Sequence, residues 1–290
     1  MKAALSRALI ALLLCLGLAA PVAAAPAMWR IADEDSQVWL FGSVHAFNSR
    51  VKWRTAAFNK ALKDADLVYF EMPTTVSDDE YFQAMVKLGL NRKGKVLSDY
   101  LNKKQQGQLA QVVLALRLNP VVVESMRPWF AAMTISGIAG EIVGGTLRPG
   151  VEDSIKREIP NRKERGFDTL ETQLRVMADL SDRTQVKMLM ETITGGSGKR
   201  SGEPVDLTSA WLGGDVDGLY GPTAAAFGKP GSELFNALLT NRNKRWAAQI
   251  EKLLATDKDV MVIVGAAHFG GSSGLPALLR KRGLTVERVQ

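Results

Sequence analysis

Two kinds of hydrophobic pattern share this chain: short continuous or alternating apolar runs, and longer stretches where apolar residues recur every three or four positions. Near the start, "MWRIA" and "QVWLFG" flank the polar "DEDS", which predicts strands at Met28–Ala32 and Gln37–Gly42 joined as a hairpin. "KWRTAAFNKALKDA" follows with helical period and places Trp53, Ala57, Phe58 and Leu62 on one side. "DLVYFEMP" is a continuous apolar run ended by Pro73, the pattern of a buried strand. Helices then dominate. "DDEYFQAMVKLG" begins with acids and ends on glycine, and "LSDYLNKKQQGQLAQVVLALRLNP" holds a longer helix stopped before Pro120. "RPWFAAMTISGIAGEIVGG" is apolar nearly all round, as a buried helix is, and "GVEDSIKREIPN" is a short helix. "ERGFDTL" predicts a third core strand, and "ETQLRVMADLSDRTQVKMLMETIT" one or two helices. "GGSGKRSGEP" (195–204) is expected to be a flexible excursion within one domain. Further helices lead to "KDVMVIVGAAHFGGSSGLPALLRKRGLTVERVQ", which predicts strand, loop, helix, strand. Strands at both ends with a large helical insertion between them predict one α/β (α+β) domain over 26–290, its central mixed sheet built from the two chain termini.

Residues 1–25 stand outside this pattern. Lys2 and Arg7 precede the apolar run Ala8–Ala20, and "PVAAAPA" supplies small residues for cleavage near 24–27, so a secretory signal peptide is expected. The run is shorter than the ~20 residues a bilayer span needs, which leaves an uncleaved anchor as the weaker alternative. The single cysteine, Cys15, lies inside this leader. The mature chain therefore has no thiol, which excludes disulfides, thiol catalysis and cysteine-ligated zinc. A periplasmic or secreted protein is expected, with no stable membrane insertion after cleavage. The formal charge is +7, and the leader cations Lys2 and Arg7 account for two of it, leaving +5. The basic residues are scattered in short runs without a nucleic-acid motif, so no nucleic-acid partner is expected.

The chain has two histidines, and each ends the same pattern: Gly42-Ser43-Val44-His45 and Gly265-Ala266-Ala267-His268. Apolar runs stop at His45, Glu71, Glu171 and His268. If these strands lie parallel, four titratable groups gather beyond one edge of the sheet, where α/β folds bind ligands. Two histidines and a carboxylate are the donor set of an open catalytic zinc site, and a second carboxylate suits a general base. The plainer alternative is a pair of structural histidines, with Glu71 paired to an arginine and Glu171 serving the N-terminus of the helix after it. Arg242 and Asn243 in "NRNKRW" could stabilise an oxyanion or could belong to a solvated helix face. "FGGSSGLPALLRKRG" is a Gly-Ser loop opening a helix but carries no phosphate-binding order of glycines. Ser43 lies outside any G-x-S-x-G elbow, which argues against a serine nucleophile.

Taken together, "WRIADEDSQVWLFGSVHAF", "LVYFEMP", "RPWFAA", "LETQLRVMADL", "AWLGGD", "NRNKRWAAQI" and "VIVGAAHFGGSSGLPALLRKRGLTVERV" resemble the TraB/GumN family, which includes the Tiki proteases. The resemblance spans nearly all of the mature chain. It implies a fold similar to the erythromycin esterase/ChaN-like group and a metal-dependent, peptidase-like hydrolase. Its site would hold a divalent ion (zinc, manganese or cobalt) on His45, Glu71 and His268. Arg242 and Asn243 would match the family's Arg-Asn pair and Glu171 its Leu-Glu-Thr glutamate. "NSRVKWRTAAF" departs from the proline-rich piece common after the first motif, so specificity does not transfer. The expected substrate is a peptide or small acyl compound. Two alternatives remain: a metal-independent, esterase-like hydrolase with histidine as general base, and a non-enzymatic binding or sequestering protein.

Overall fold

The computed structural model describes residues 25–47, 50–144, 148–195 and 206–290. The expected leader, Ala25 aside, and the Gly-Ser stretch beyond Gly195 lie outside the described residues. The strands are β1 (Met28–Ala32), β2 (Gln37–Ser43), β3 (Ala46–Phe47), β4 (Leu67–Phe70), β5 (Arg148–Pro149), β6 (Glu164–Gly166), β7 (Val260–Gly265) and β8 (Glu287–Arg288). Six of them form one sheet in the order β6-β4-β7-β2-β1-β8, while β3 pairs with β5 apart from it. Within the sheet β6, β4, β7 and β2 are mutually parallel; β1 runs antiparallel to β2, and β8 antiparallel to β1. The sheet is therefore mixed and joins both chain ends, as the hydrophobic pattern predicts. The expected third core strand, "ERGFDTL", is shorter than predicted and takes an edge, where β6 pairs only with β4.

The helices are α1 (Ala56–Asp64), α2 (Asp78–Gly89), α3 (Lys103–Ala115), α4 (Pro120–Glu124), α5 (Pro128–Gly144), α6 (Val151–Ile155), α7 (Leu170–Ala178), α8 (Asp182–Ile193), α9 (Leu207–Leu212), α10 (Val216–Ala226), α11 (Glu233–Phe235), α12 (Asn241–Leu254) and α13 (Leu275–Lys281). Several starts are written in the sequence as caps. Ser77 and Glu80 form a reciprocal capping box on α2. Pro120 does more than stop a helix: it opens α4, where its missing N–H costs nothing, behind an Asn119 cap. In α1 the buried residues are Phe58 and Ala61, and Ala57 faces solvent, so the inward stripe is rotated from the one expected.

β7 is buried along nearly its whole length because both sheet faces are covered. On one face Leu40, Val260, Val262 and Val264 pack against Trp246 and Ile250 of α12 and Leu275 and Leu279 of α13. On the other, Phe41, Met261, Ile263 and Phe70 meet Phe58 of α1, Ile155 of α6 and Trp211 of α9. Each such large side chain contributes roughly 1.5–3 kcal/mol on burial. A third apolar cluster lies within α2 to α5, α7 and α8. No helix among the described residues is long and apolar enough to cross a membrane.

Candidate active site

Parallel strands share one direction, so the ends of β2, β4, β6 and β7 deliver the next residues to one edge of the sheet. Glu71 directly follows β4, His45 comes just after β2, and His268 closes a tight turn, Ala266–His268, after β7. After β6 the residue delivered is Asp168. The structure thus brings together His45, Glu71 and His268, and it leaves Glu171 out. Glu171 sits in the exposed first turn of α7, hydrogen-bonded to Arg175 one turn on, which lowers its carboxyl.

The glycines of the two Gly-x-x-His motifs serve close approach rather than a turn: neither Gly42 nor Gly265 has a positive φ. A Cβ on Gly42 would stand 3.2 Å from the Ala266 backbone. A Cβ on Gly265 would stand 3.0 Å from Glu71 Oε1, 3.8 Å from the His268 ring and 3.9 Å from His45 Nε2. Gly265 is therefore the floor on which the three groups converge.

Each histidine is oriented from behind. The Asn243 amide N–H₂ donates to the carbonyls of His268 (3.2 Å) and Ser273 (2.8 Å), which fixes the amide's direction. Its oxygen, 2.5 Å from His268 Nδ1, can only accept, so Nδ1 carries the proton. In the neutral ring the Nε2 lone pair is then left facing Glu71 Oε1 at 3.6 Å. Trp246 packs against the ring at 4.5 Å. His45 is held similarly, its Nδ1 3.2 Å from Glu152 Oε1, an oxygen that also accepts from Ser43 Oγ at 2.6 Å. Gly150, next to α6, lies so close that its Cβ would meet the His45 carbonyl, which ties Glu152 to the His45 loop.

Glu71 is anchored on both oxygens. Oε1 accepts the Gly265 N–H at 2.9 Å, and Oε2 accepts from Arg242 Nη2 at 2.7 Å. The guanidinium also donates to Gln173 at 2.6 Å and to Asp168 at 3.0 Å, and it stacks on Trp246. Arg245 reaches the other oxygen of Asp168 at 3.0 Å. A π-turn at Asn236–Thr240 leads directly into α12, which carries Arg242 and Asn243 inward, so neither belongs to a solvated face.

Burial disfavours charge at both Glu71 and His268, with opposite outcomes. At Glu71 the charges of Arg242 and His45 and the Gly265 N–H overcome it and hold the carboxyl well below its usual range. At His268 burial wins and pushes the imidazole down to about 4. His268 is therefore neutral at neutral pH, and Arg242 is the standing counter-charge of Glu71. His45 is 71% exposed, and Glu152, by hydrogen bond and charge, raises its imidazole above the usual range.

A neutral lone pair and a carboxylate oxygen facing each other across 3.6 Å, with a second imidazole nitrogen near, is an arrangement that a cation relieves. Among the described residues no three His, Cys, Asp or Glu side chains stand close enough together to hold a metal ion. The donors are oriented, and Glu71 is held by Arg242. Asn243 has no free amide N–H for an oxyanion; its hydrogen bonds position His268. Removing it as Asn243→Ala is expected to cost about 1–3 kcal/mol in denaturant melts. It should also release the His268 tautomer, visible as a change in ring ¹⁵N shifts, readable because the chain has two histidines. Unchanged ring shifts would show that Asn243 does not set the tautomer.

Sequence patterns left Asp168, Glu152 and Gln173 unassigned. Asp168 was within reach, since it stands in "GFDTLE" just past the end of β6. Glu152 carries no local signal: it meets Ser43 across 109 residues of chain.

No curated protein matches the chain, and no solved structure does. A family model described as the TraB/PrgY/gumN family matches residues 27–288, from the first strand of the sheet to its last. The chain carrying His45, Glu71 and His268 at one sheet edge therefore belongs to the TraB/PrgY/gumN family.

Proposed function

We propose that this protein is an exported, metal-dependent hydrolase acting on a peptide or other acyl bond. One observation carries the proposal: His268 Nε2 faces Glu71 Oε1 at 3.6 Å, and His45 Nε2 borders the same space over Gly265, with Asn243 and Glu152 on the other nitrogens of the two rings. The histidines and Glu71 are the donors for a divalent ion, zinc, manganese or cobalt. When bound, such an ion supplies Lewis-acid polarisation of a carbonyl and acidifies water. The protein's own part is positional. Arg242 fixes Glu71, Asn243 fixes His268, and Glu152 fixes His45 and offers a carboxylate beside an exposed imidazole for proton transfer. Export rests on the leader pattern of residues 1–25.

Metal analysis of purified wild type beside His45→Ala and Gly265→Ala tests this. The added methyl of Gly265→Ala would occupy the gap that the three groups face. Wild type should retain about one divalent ion per chain and each variant less than about a tenth of that. Wild type that retains none after loading with each of the three metals, with hydrolysis unaffected in His45→Ala, would sink the proposal.

A second reading is favoured by the His45–Glu152 pair alone. An exposed histidine with Nδ1 on a carboxylate is the general-base half of a metal-free hydrolase once deprotonated, which Glu152 delays to about pH 9. Turnover that survives chelation but is lost in both His45→Ala and Glu152→Gln would select it.

A further inference from the structure

Away from the sheet edge, the tip of the helical layer combines exposed aliphatic side chains with unpaired positive charge. Leu114 at the end of α3 is 80% exposed, and Val121 and Val122 of α4 are 78% and 50% exposed. The tip is a built surface. Arg117 turns the chain between the two helices at a φ of 53°, and Leu118 N–H returns to Val113. The loop carrying Arg92 and Lys93 is tied to the far end of α4 by the Asn91 N–H on the Ser125 carbonyl, 2.8 Å. Between 87 and 127 the sequence holds eight lysines and arginines against two acids. Both acids are spent on backbone N–H groups: Asp99 on Val96, and Glu124 on Ser98. Some cations elsewhere are paired, as in Arg54–Glu158, Arg175–Glu171 and Arg282–Glu251, so what sets this stretch apart is its ratio of eight cations to two acids. Among the described residues Arg92, Lys93 and Arg117 form no ion pair.

We infer that this tip docks on the surface of an anionic lipid bilayer, with Leu114, Val121 and Val122 in the headgroup–acyl boundary and Arg92, Lys93 and Arg117 on lipid phosphates. Exposed aliphatic side chains combined with lysine and arginine are the composition of interfacial anchors. The charge argues against a second copy as occupant, because a two-fold interface would set the same cations against themselves. It also separates the tip from a nucleic-acid site, which has no use for three exposed aliphatics. Docking of this kind is peripheral and leaves every helix outside the hydrocarbon core. It is independent of the chemistry at the sheet edge.

A position-specific probe tests it on the full protein. In a Cys15→Ser background, Leu114→Cys is labelled with an environment-sensitive fluorophore, and Glu34→Cys in the β1–β2 turn is the control. Vesicles containing about one phosphatidylglycerol in three should shift the Leu114 label to the blue and leave the Glu34 label unchanged. Phosphatidylcholine vesicles should give no shift, and raising the salt should reverse it. Arg92→Glu with Lys93→Glu should weaken the vesicle titration at least about tenfold. No shift, an equal shift at Glu34, or a titration untouched by the charge reversal would overturn the inference. A blue shift that grows with protein concentration in the absence of lipid would overturn it in favour of self-association.

Discussion

Glu71→Gln is expected to abolish divalent-metal retention and to lower hydrolysis by more than about a hundredfold, the loss that outer-shell partners of a metal already produce. The substitution keeps the shape of the side chain and removes its charge. Both native oxygens accept from N–H donors, Gly265 on one side and Arg242 on the other. Wherever the new amide N–H₂ turns, a donor meets a donor, and the Arg242 guanidinium loses one of its two buried counter-charges. The stability cost is about 2–4 kcal/mol at neutral pH. Its pH dependence follows from the direction of the native shift. The Glu71 carboxyl is held below its ordinary 4.5 in the fold, so its contribution is complete above that value and is lost as pH falls beneath it. The gap between wild type and Glu71→Gln, read from urea melts, should be widest near neutrality and should narrow in acid. A gap that stayed constant down to about pH 3 would mean that Glu71 is not the charged partner of Arg242.

The fold was legible wherever pattern and topology coincide. Continuous apolar runs marked β2, β4 and β7, and parallel pairing then carried His45, Glu71 and His268 to one edge. What local pattern could not resolve was the end of the shortest strand. β6 spans Glu164–Gly166, so the group it delivers is Asp168, while Glu171 is already inside α7. Thr169, whose hydroxyl accepts from the Thr172 N–H, is the cap that separates the two acids. A Ser/Thr between two candidate carboxylates marks where strand ends and helix begins, and it favours the acid before it. The partners behind the histidines were less accessible for a different reason. Asn243 stood in view within "NRNKRW", but its helix face is decided by packing against Trp246 and the sheet, not by its neighbours in sequence. Glu152 depends wholly on the tertiary approach of α6 to the His45 loop.

Asp168→Ala should be the most destabilising of the single substitutions considered at this site, by about 3–5 kcal/mol in equilibrium denaturation. Its side chain is 2% exposed and holds two guanidinium groups, but the two contacts differ in weight. Arg245 is 46% exposed, so water takes over when its partner is removed, and Arg245→Ala should cost less than about 1 kcal/mol. Arg242 is 5% exposed on its side chain and has no such replacement. Without Asp168 its Nε–H is left without an acceptor, and its charge rests on Glu71 alone. Asp168→Asn keeps one carbonyl oxygen able to accept that N–H and should fall between the two, at about 1–2 kcal/mol. The order Ala, then Asn, then Arg245→Ala is the diagnostic result, because it assigns the energy to the buried guanidinium rather than to the surface pair. It also bears on function. Arg242 fixes the Glu71 oxygen opposite the one that faces His268, so a guanidinium freed on one side lets Glu71 rotate away from the histidines. Asp168→Asn, folded but with Arg242 less constrained, should therefore bind metal about tenfold more weakly than wild type. Asp168→Ala within about 1 kcal/mol of wild type would show that Arg242 is held adequately by Glu71 and Gln173, and that Asp168 is not part of the site's frame.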